Sequence, residues 1–238
     1  MLFANNLKFK MVSDILYKSL IEIGLEDYLK ARGGGKIIQE RWTVNLDFLV
    51  SKFTKEQKEI LKNKINEKKN ETHAQHNDIF HEISIACAFY SNVNFLSESK
   101  DTLTPDFRFG STNVEVKSIN NSNEEKNRLS ELDKGPRCEH KPIRNDENFI
   151  NSSVQAITKK FKEHIEKAKK QLGADGGDIW VVYAHDSPPG FSQDERLKLE
   201  VENKLDEIIK TLSTEYKVRY IHFGKLRDEL ESKITEVA

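Results

Sequence analysis

The residues whose types and spacing could do chemistry lie in Thr104–Asn120, TPDFRFGSTNVEVKSIN. Two short alternating runs flank a cluster of turn residues, Gly110 to Asn113, which predicts a β-hairpin. With a four-residue turn, Phe109 faces Val114 and Phe107 faces Val116, an apolar face fit for packing on a helix. The opposite face then sets Arg108 against Glu115 and Asp106 against Lys117. A slip of one residue would scatter the apolar side chains over both faces, so the core itself gathers Asp106, Glu115 and Lys117 on one side. Opposed side chains stand roughly 5 Å apart at Cβ, within reach of one shared ion. Neighbouring carboxylates repel unless something positive lies between them. A hard divalent cation, Mg²⁺ with Mn²⁺ as the alternative, would bind there through one or two carboxylates and take further contacts from water and substrate phosphate. It would polarise a phosphoryl oxygen and acidify a bound water. Lys117 would hold that water or offset charge building on the phosphorane oxygens. The plainer alternative is a surface hairpin with cross-strand ion pairs.

These residues need elements to position them. Residues 77–90 predict a helix capped by Asn77 or Asp78, with Ile79, Ile83, Ala86 and Tyr90 on one stripe. Glu82 borders that stripe, and a carboxylate beside apolar residues usually has a partner. Strands are expected at Val93–Leu96, Thr104–Phe109 and Val114–Ile119. Val154, Ile157, Phe161, Ile165, Ala168 and Leu172 step at helical spacing and stop at Gly173. Asp178–Ala184, DIWVVYA, is a continuous apolar run, the mark of a strand covered on both faces. A helix over Ser192–Tyr216 and a strand over Lys217–Phe223 complete the series. Strands alternating with helices argue for an α/β sheet flanked by helices. Residues 1–70 read as a mostly helical N-terminal extension: helical spacing over 12–31 ends at Gly33-Gly34-Gly35, and helices follow at 48–53 and 54–70, the last capped by Thr54. The domain proper is 71–238, with a polar insertion over 120–148.

Pro105-Asp106 followed by Glu115-Val116-Lys117 resembles the signature of the PD-(D/E)XK nuclease superfamily, which includes many restriction endonucleases and repair nucleases. The element order from Asn77 is also similar to that core: helix, three antiparallel strands, helix, strand. The resemblance covers about residues 77–185 well, the C-terminal part loosely and residues 1–70 not at all. It implies a restriction-endonuclease-like mixed sheet, with Asp106 and Glu115 as metal ligands, the Val116 carbonyl as a third, and Lys117 as the catalytic lysine. Glu82 corresponds to the acidic residue that such enzymes often supply from the preceding helix, as ligand or orienter. Some members carry a Gln or Lys near the scissile phosphate on the helix after the third strand; Lys167, Gln171 and Gln155 are the candidates here.

Charge narrows the partners. The chain has 238 residues, 38 Lys/Arg and 39 Asp/Glu, so its net charge of −1 excludes a uniformly basic, histone-like binder. Residues 1–76 nevertheless hold fourteen Lys/Arg against ten Asp/Glu. Lys159, Lys160, Lys162, Lys167, Lys169 and Lys170 make one helix locally basic, a phosphate-facing surface or a solvated face. Lys159, Lys167, Gln171, Arg108 and Arg144 are the candidate nucleic-acid contacts, Arg144 within the insertion. Cys87 and Cys138 give neither a disulfide framework nor a CxxC pattern, and His73, His76, His81 and Cys87 form a weak zinc pattern. No P-loop or GxSxG elbow is present. MLFANNLKFKMVSDILYK breaks its apolar residues with lysines, and no run approaches a membrane span, so a soluble, cytoplasmic protein is expected. The expected activity is metal-dependent hydrolysis of DNA phosphodiesters, possible as a restriction-type endonuclease. Cutting both strands favours a homodimer. RNA cleavage by the same core, as in a tRNA-cutting toxin, and a non-catalytic nucleic-acid or protein binding module are the alternatives.

Overall fold

Apolar residues alternating with a period of two demand a sheet whose faces are covered, and the helical stripes supply the covers. The computed structural model describes residues 17–26, 29, 41–67, 73–97, 103–119, 147–183, 192–212 and 215–233. Among them, the helices are α1 (Lys18–Glu22), α2 (Arg41–Ser51), α3 (Lys55–Glu67), α4 (His73–Phe89), α5 (Glu147–Leu172), α6 (Ser192–Lys210) and α7 (Phe223–Ser232). The strands are β1 (Val93–Phe95), β2 (Phe107–Phe109), β3 (Thr112–Ile119), β4 (Gly177–Tyr183) and β5 (Tyr216–His222). They form one five-stranded sheet in the order β1-β2-β3-β4-β5. The pairs β1–β2 and β2–β3 are antiparallel, whereas β3–β4 and β4–β5 are parallel. The protein is thus mixed α/β, with helices on both faces of a mixed sheet.

Each face has its own core. Val114, Val116, Trp180 and Val182 face a cluster built with Ile79, Phe80 and Ile83 of α4, Trp42 and Leu46 of α2, and Leu226 and Leu230 of α7. Ile119, Ile179, Val181 and Tyr183 face Phe161, Ile165 and Ala168 of α5 and Val201 and Leu205 of α6. The run DIWVVYA is accordingly buried on both sides from Ile179 to Tyr183. Leu20 of α1 and Leu61 and Ile65 of α3 belong to the first of these cores.

Several boundaries differ from the sequence reading. The helix expected over 12–31 is, among the described residues, the short α1. Gly24 stops it at φ 95, with Gly24 N–H donating to Ile21 O at 2.9 Å and Leu25 N–H to Leu20 O at 3.0 Å, a Schellman ending. The helix carrying Glu82 begins at His73, upstream of Asn77 and Asp78. The helix from Ser192 ends at Lys210, and Tyr216 opens β5 instead. Helix α7, which the sequence reading missed, starts where the His222 ring nitrogen accepts the Gly224 N–H at 3.1 Å.

The hairpin register also needs correction. The turn has two residues, Gly110-Ser111, so Phe107 faces Val114 and Phe109 faces Thr112. Gly110 takes φ 59, open to glycine, and a two-residue turn with positive φ at its first position matches the twist of the flanking strands. A shift of two residues keeps every side chain on its face, so the parity argument survives while the pairs change. Arg108 faces Asn113 rather than Glu115, and donates to its Oδ1 at 2.8 Å.

Helix α3 fixes the open edge of this sheet. Thr54 caps it, its Oγ1 accepting the Gln57 N–H at 3.2 Å. Gln57 then acts as a surrogate strand for β1: its Oε1 accepts the Phe95 N–H at 2.5 Å, and its Nε2 donates to Asn94 Oδ1 at 2.7 Å. No described helix is long and apolar enough to cross a membrane. Replacing Gln57 by Ala strands a buried N–H and should lower stability by about 1–3 kcal/mol in urea unfolding; no change would show the edge to be held by apolar packing alone.

Candidate active site

The site forms where β2 parts from β3. The ladder between them reaches Phe107–Val114, and one residue earlier the Asp106 N–H donates to Val114 O at 3.1 Å. Beyond that point Asp106 Oδ2 accepts the Val116 N–H at 2.7 Å, so a carboxylate takes over the next rung. Asp106 is thereby fixed by the backbone of the strand that carries Glu115 and Lys117. In β3, Val114 and Val116 enter the core under α4, while Glu115, Lys117 and Ile119 alternate to the side covered by α5.

Asp106 and Lys117 both lie near enough to Glu115 for their charges to act on it, and the pairing differs from the one expected. Lys117 Nζ pairs with Glu115 Oε1 of its own strand rather than with Asp106. Glu115 is 0% exposed, and its Oε2 has no hydrogen-bond partner. Burial, then the Asp106 charge, raises the Glu115 pKa well above the ordinary carboxylate range; Lys117 opposes this and Glu82 adds to it. Burial pulls the Lys117 ammonium down, but the carboxylates of Glu115, Asp106 and Glu82 outweigh it and its pKa is raised.

Glu82 is buried on α4, and the partner its apolar setting demanded is Lys64 of α3. Lys64 Nζ lies 3.2 Å from Glu82 Oε2 and 3.7 Å from Asp106 Oδ1, and donates to Asp106 O at 3.4 Å. Sequence reasoning missed Lys64 inside a stretch rich in Lys and Glu. The available signal was its place beside Leu61 and Ile65 on the inward stripe of α3. Among the described residues, these contacts bring together three carboxylates and two ammonium groups, one positive charge short of balance.

Helix α5 covers this side of β3. Lys159, Lys167 and Gln155 on it are exposed and Gln171 is half-buried. His164, which the sequence reading did not single out, is the α5 side chain electrostatically linked to Lys117: burial, then the charges of Lys167 and Lys117, lower its pKa to about 4. Its Nδ1 is buried without a hydrogen-bond partner. Arg108 is exposed beside Asn113. Arg144 and nearly all of the insertion lie outside the described residues, as do Cys138 and the side chains of His73 and His76. His81 is engaged with Ser118 Oγ at 2.8 Å, and Cys87 is a buried free thiol.

Among the described residues no three His, Cys, Asp or Glu side chains form a ready metal group. An ion at this point would therefore draw on Asp106, Glu115, the Val116 carbonyl and water, a set that suits Mg²⁺. The unpartnered Glu115 Oε2 and the raised pKa that burial and Asp106 impose on Glu115 both fit such an ion. No family model, curated protein or solved structure matches the chain.

Two titrations check this electrostatic description. A raised folded-state pKa means that Glu115 costs stability as pH climbs from its ordinary value near 4.5 through the raised one. In EDTA, Glu115→Gln should therefore melt higher than the wild type at neutral pH, with the advantage vanishing below about pH 4. Equal melting across that range would place the strain elsewhere. His164 has the opposite sign: its stabilising neutrality is complete above pH 6.5 and lost as pH falls toward about 4. Its ring resonances should titrate near pH 4 in NMR, and a midpoint near 6.5 would contradict the buried geometry.

Proposed function

We propose that the chain is a metal-dependent endonuclease that hydrolyses phosphodiester bonds of DNA, built on a restriction-endonuclease-like sheet of the PD-(D/E)XK kind. The observation that carries the reading is the meeting of Asp106, Glu115 and Lys117 at a strand fork, with Glu115 Oε2 buried and unpartnered. A non-catalytic scaffold has no structural need for that arrangement, because a buried, unsatisfied carboxylate is destabilising. The order of helix, antiparallel strands, long helix and parallel strand supports the same reading.

Asp106, Glu115 and the Val116 carbonyl are the groups that would hold Mg²⁺. When bound, the ion supplies Lewis acidity toward a phosphoryl oxygen and lowers the pKa of a coordinated water. The rest is done by side chains. The raised pKa of Lys117 keeps it protonated at neutral pH, so it serves as a cationic hydrogen-bond donor rather than a base. Its tie to Glu115 holds the ammonium beside the carboxylates, where it would offset charge growing on the phosphoryl oxygens. His164 stays neutral beside it and adds no competing positive charge. Exposed Lys159 and Lys167 on α5 give the substrate backbone a cationic approach, and contacts of that type bind phosphate without reading sequence.

Incubation with plasmid, single-stranded DNA and total RNA, each with Mg²⁺ or EDTA, tests the proposal. Plasmid cleavage with Mg²⁺ and none with EDTA is expected; cleavage of RNA alone would move the substrate class, and no cleavage would defeat the reading. Lys117→Ala should reduce the rate by roughly 10²–10³-fold while Mn²⁺ still binds, and unchanged cleavage would remove Lys117 from the chemistry.

A further inference from the structure

The most enclosed cation of the site comes from outside the residues that resemble a nuclease. Lys64 has a side chain only 2% exposed and joins Glu82 to both the carboxylate and the carbonyl of Asp106. It is held there by its helix: Leu61 and Ile65 on the same stripe are fully buried, and Gln57 locks the start of α3 to β1. The ammonium is therefore a fixed charge, not the tip of a loose arm.

We propose that Lys64 is a positioning residue that stands where a second divalent ion would otherwise be required, so that the site takes one divalent ion at Asp106 and Glu115. The inference rests on the nuclease reading and deepens it. In a two-ion site a shared carboxylate bridges cations about 3.5–4 Å apart. Here Asp106 is already shared, its Oδ1 3.7 Å from Lys64 Nζ, and Glu82, the other acid on that flank, accepts from the same ammonium at 3.2 Å. The unpartnered donor is on the opposite flank, at Glu115 Oε2. A cleft of about 370 Å³ lined by Ile60, Asn63, Lys64, Asn66, Glu67 and Ser97 leads to the Lys64 stem. Shortening that stem would open a route for a hydrated ion to reach Glu82 and Asp106.

Counting bound Mn²⁺ by calorimetry and equilibrium dialysis on the full chain tests this. The wild type should bind one ion, Lys64→Ala two, and Lys64→Ala combined with Glu82→Gln one again. Should Lys64→Ala fail to fold without metal, saturating Mn²⁺ should restore folding and raise its melting temperature more than that of the wild type. Two ions in the wild type, or one in a folded Lys64→Ala, would overturn the assignment while leaving the nuclease reading intact. No ion in any of the three proteins would defeat both, and failure of cleavage with one bound ion would defeat only the nuclease reading.

Discussion

Among the described residues, three carboxylates and two ammonium groups meet in a largely desolvated space, and the architecture around the strand fork is organised by their pairing. Taking an ion out of water costs several kcal/mol even after relaxation, so each buried charge needs partners close at hand. Glu82 and Asp106 meet Lys64, and Glu115 meets Lys117. Glu115 is fully buried, and desolvation with the Asp106 charge drives its carboxyl toward the neutral form.

Geometry at the fork follows from backbone bonding. Antiparallel strands that separate leave N–H groups without a ladder partner, and a buried orphan is costly. Asp106 resolves this by taking the Val116 N–H itself, which links the direction of its carboxylate to the path of β3. Covers on both faces keep the rung dry: α4 on the side of Val114 and Val116, α5 on the side of Ile119. At the outer edge, Gln57 takes the Phe95 N–H that another strand would have taken, and donates to the Asn94 side chain beside it. The helix that seals the edge is also the one that presents Lys64, so edge protection and charge placement come from a single element.

Much of this was legible in the sequence, for reasons of period. Alternation in FRF and VEV put Asp106, Glu115 and Lys117 on one face for a turn of two or four residues alike, since an even shift preserves the faces. Pairing was not legible, because two-residue and four-residue turns satisfy the same pattern and only the φ of Gly110 separates them. Glu82 announced a missing partner by its apolar neighbours but could not name it. Lys64 lies in KEQKEILKNKINE, where lysine is the commonest residue, and a solvated lysine and a buried one look alike there. His164 stands one step off the stripe of Phe161 and Ile165, a position that spacing alone assigns to the edge of a helix. The insertion carried charges without a pattern, and pattern is what sequence reading needs.

The Lys64 contact bears on why α3 belongs to this site. A buried ion pair is seldom better for stability than apolar residues of similar volume, and removing one member of it is worse than replacing both. Leu61 and Ile65 already anchor α3, so docking the helix did not require an ammonium at its inward face. What the ammonium adds is direction: Glu82 cannot swing into the fork, and Asp106 cannot leave it, without breaking a desolvated contact. Such fixed charges suit a reaction in which negative charge develops at one point, because no reorganisation is needed when it does. The cost of burying Lys64, Glu82 and Glu115 then comes with order in the carboxylates, which is what the proposed nuclease reading needs.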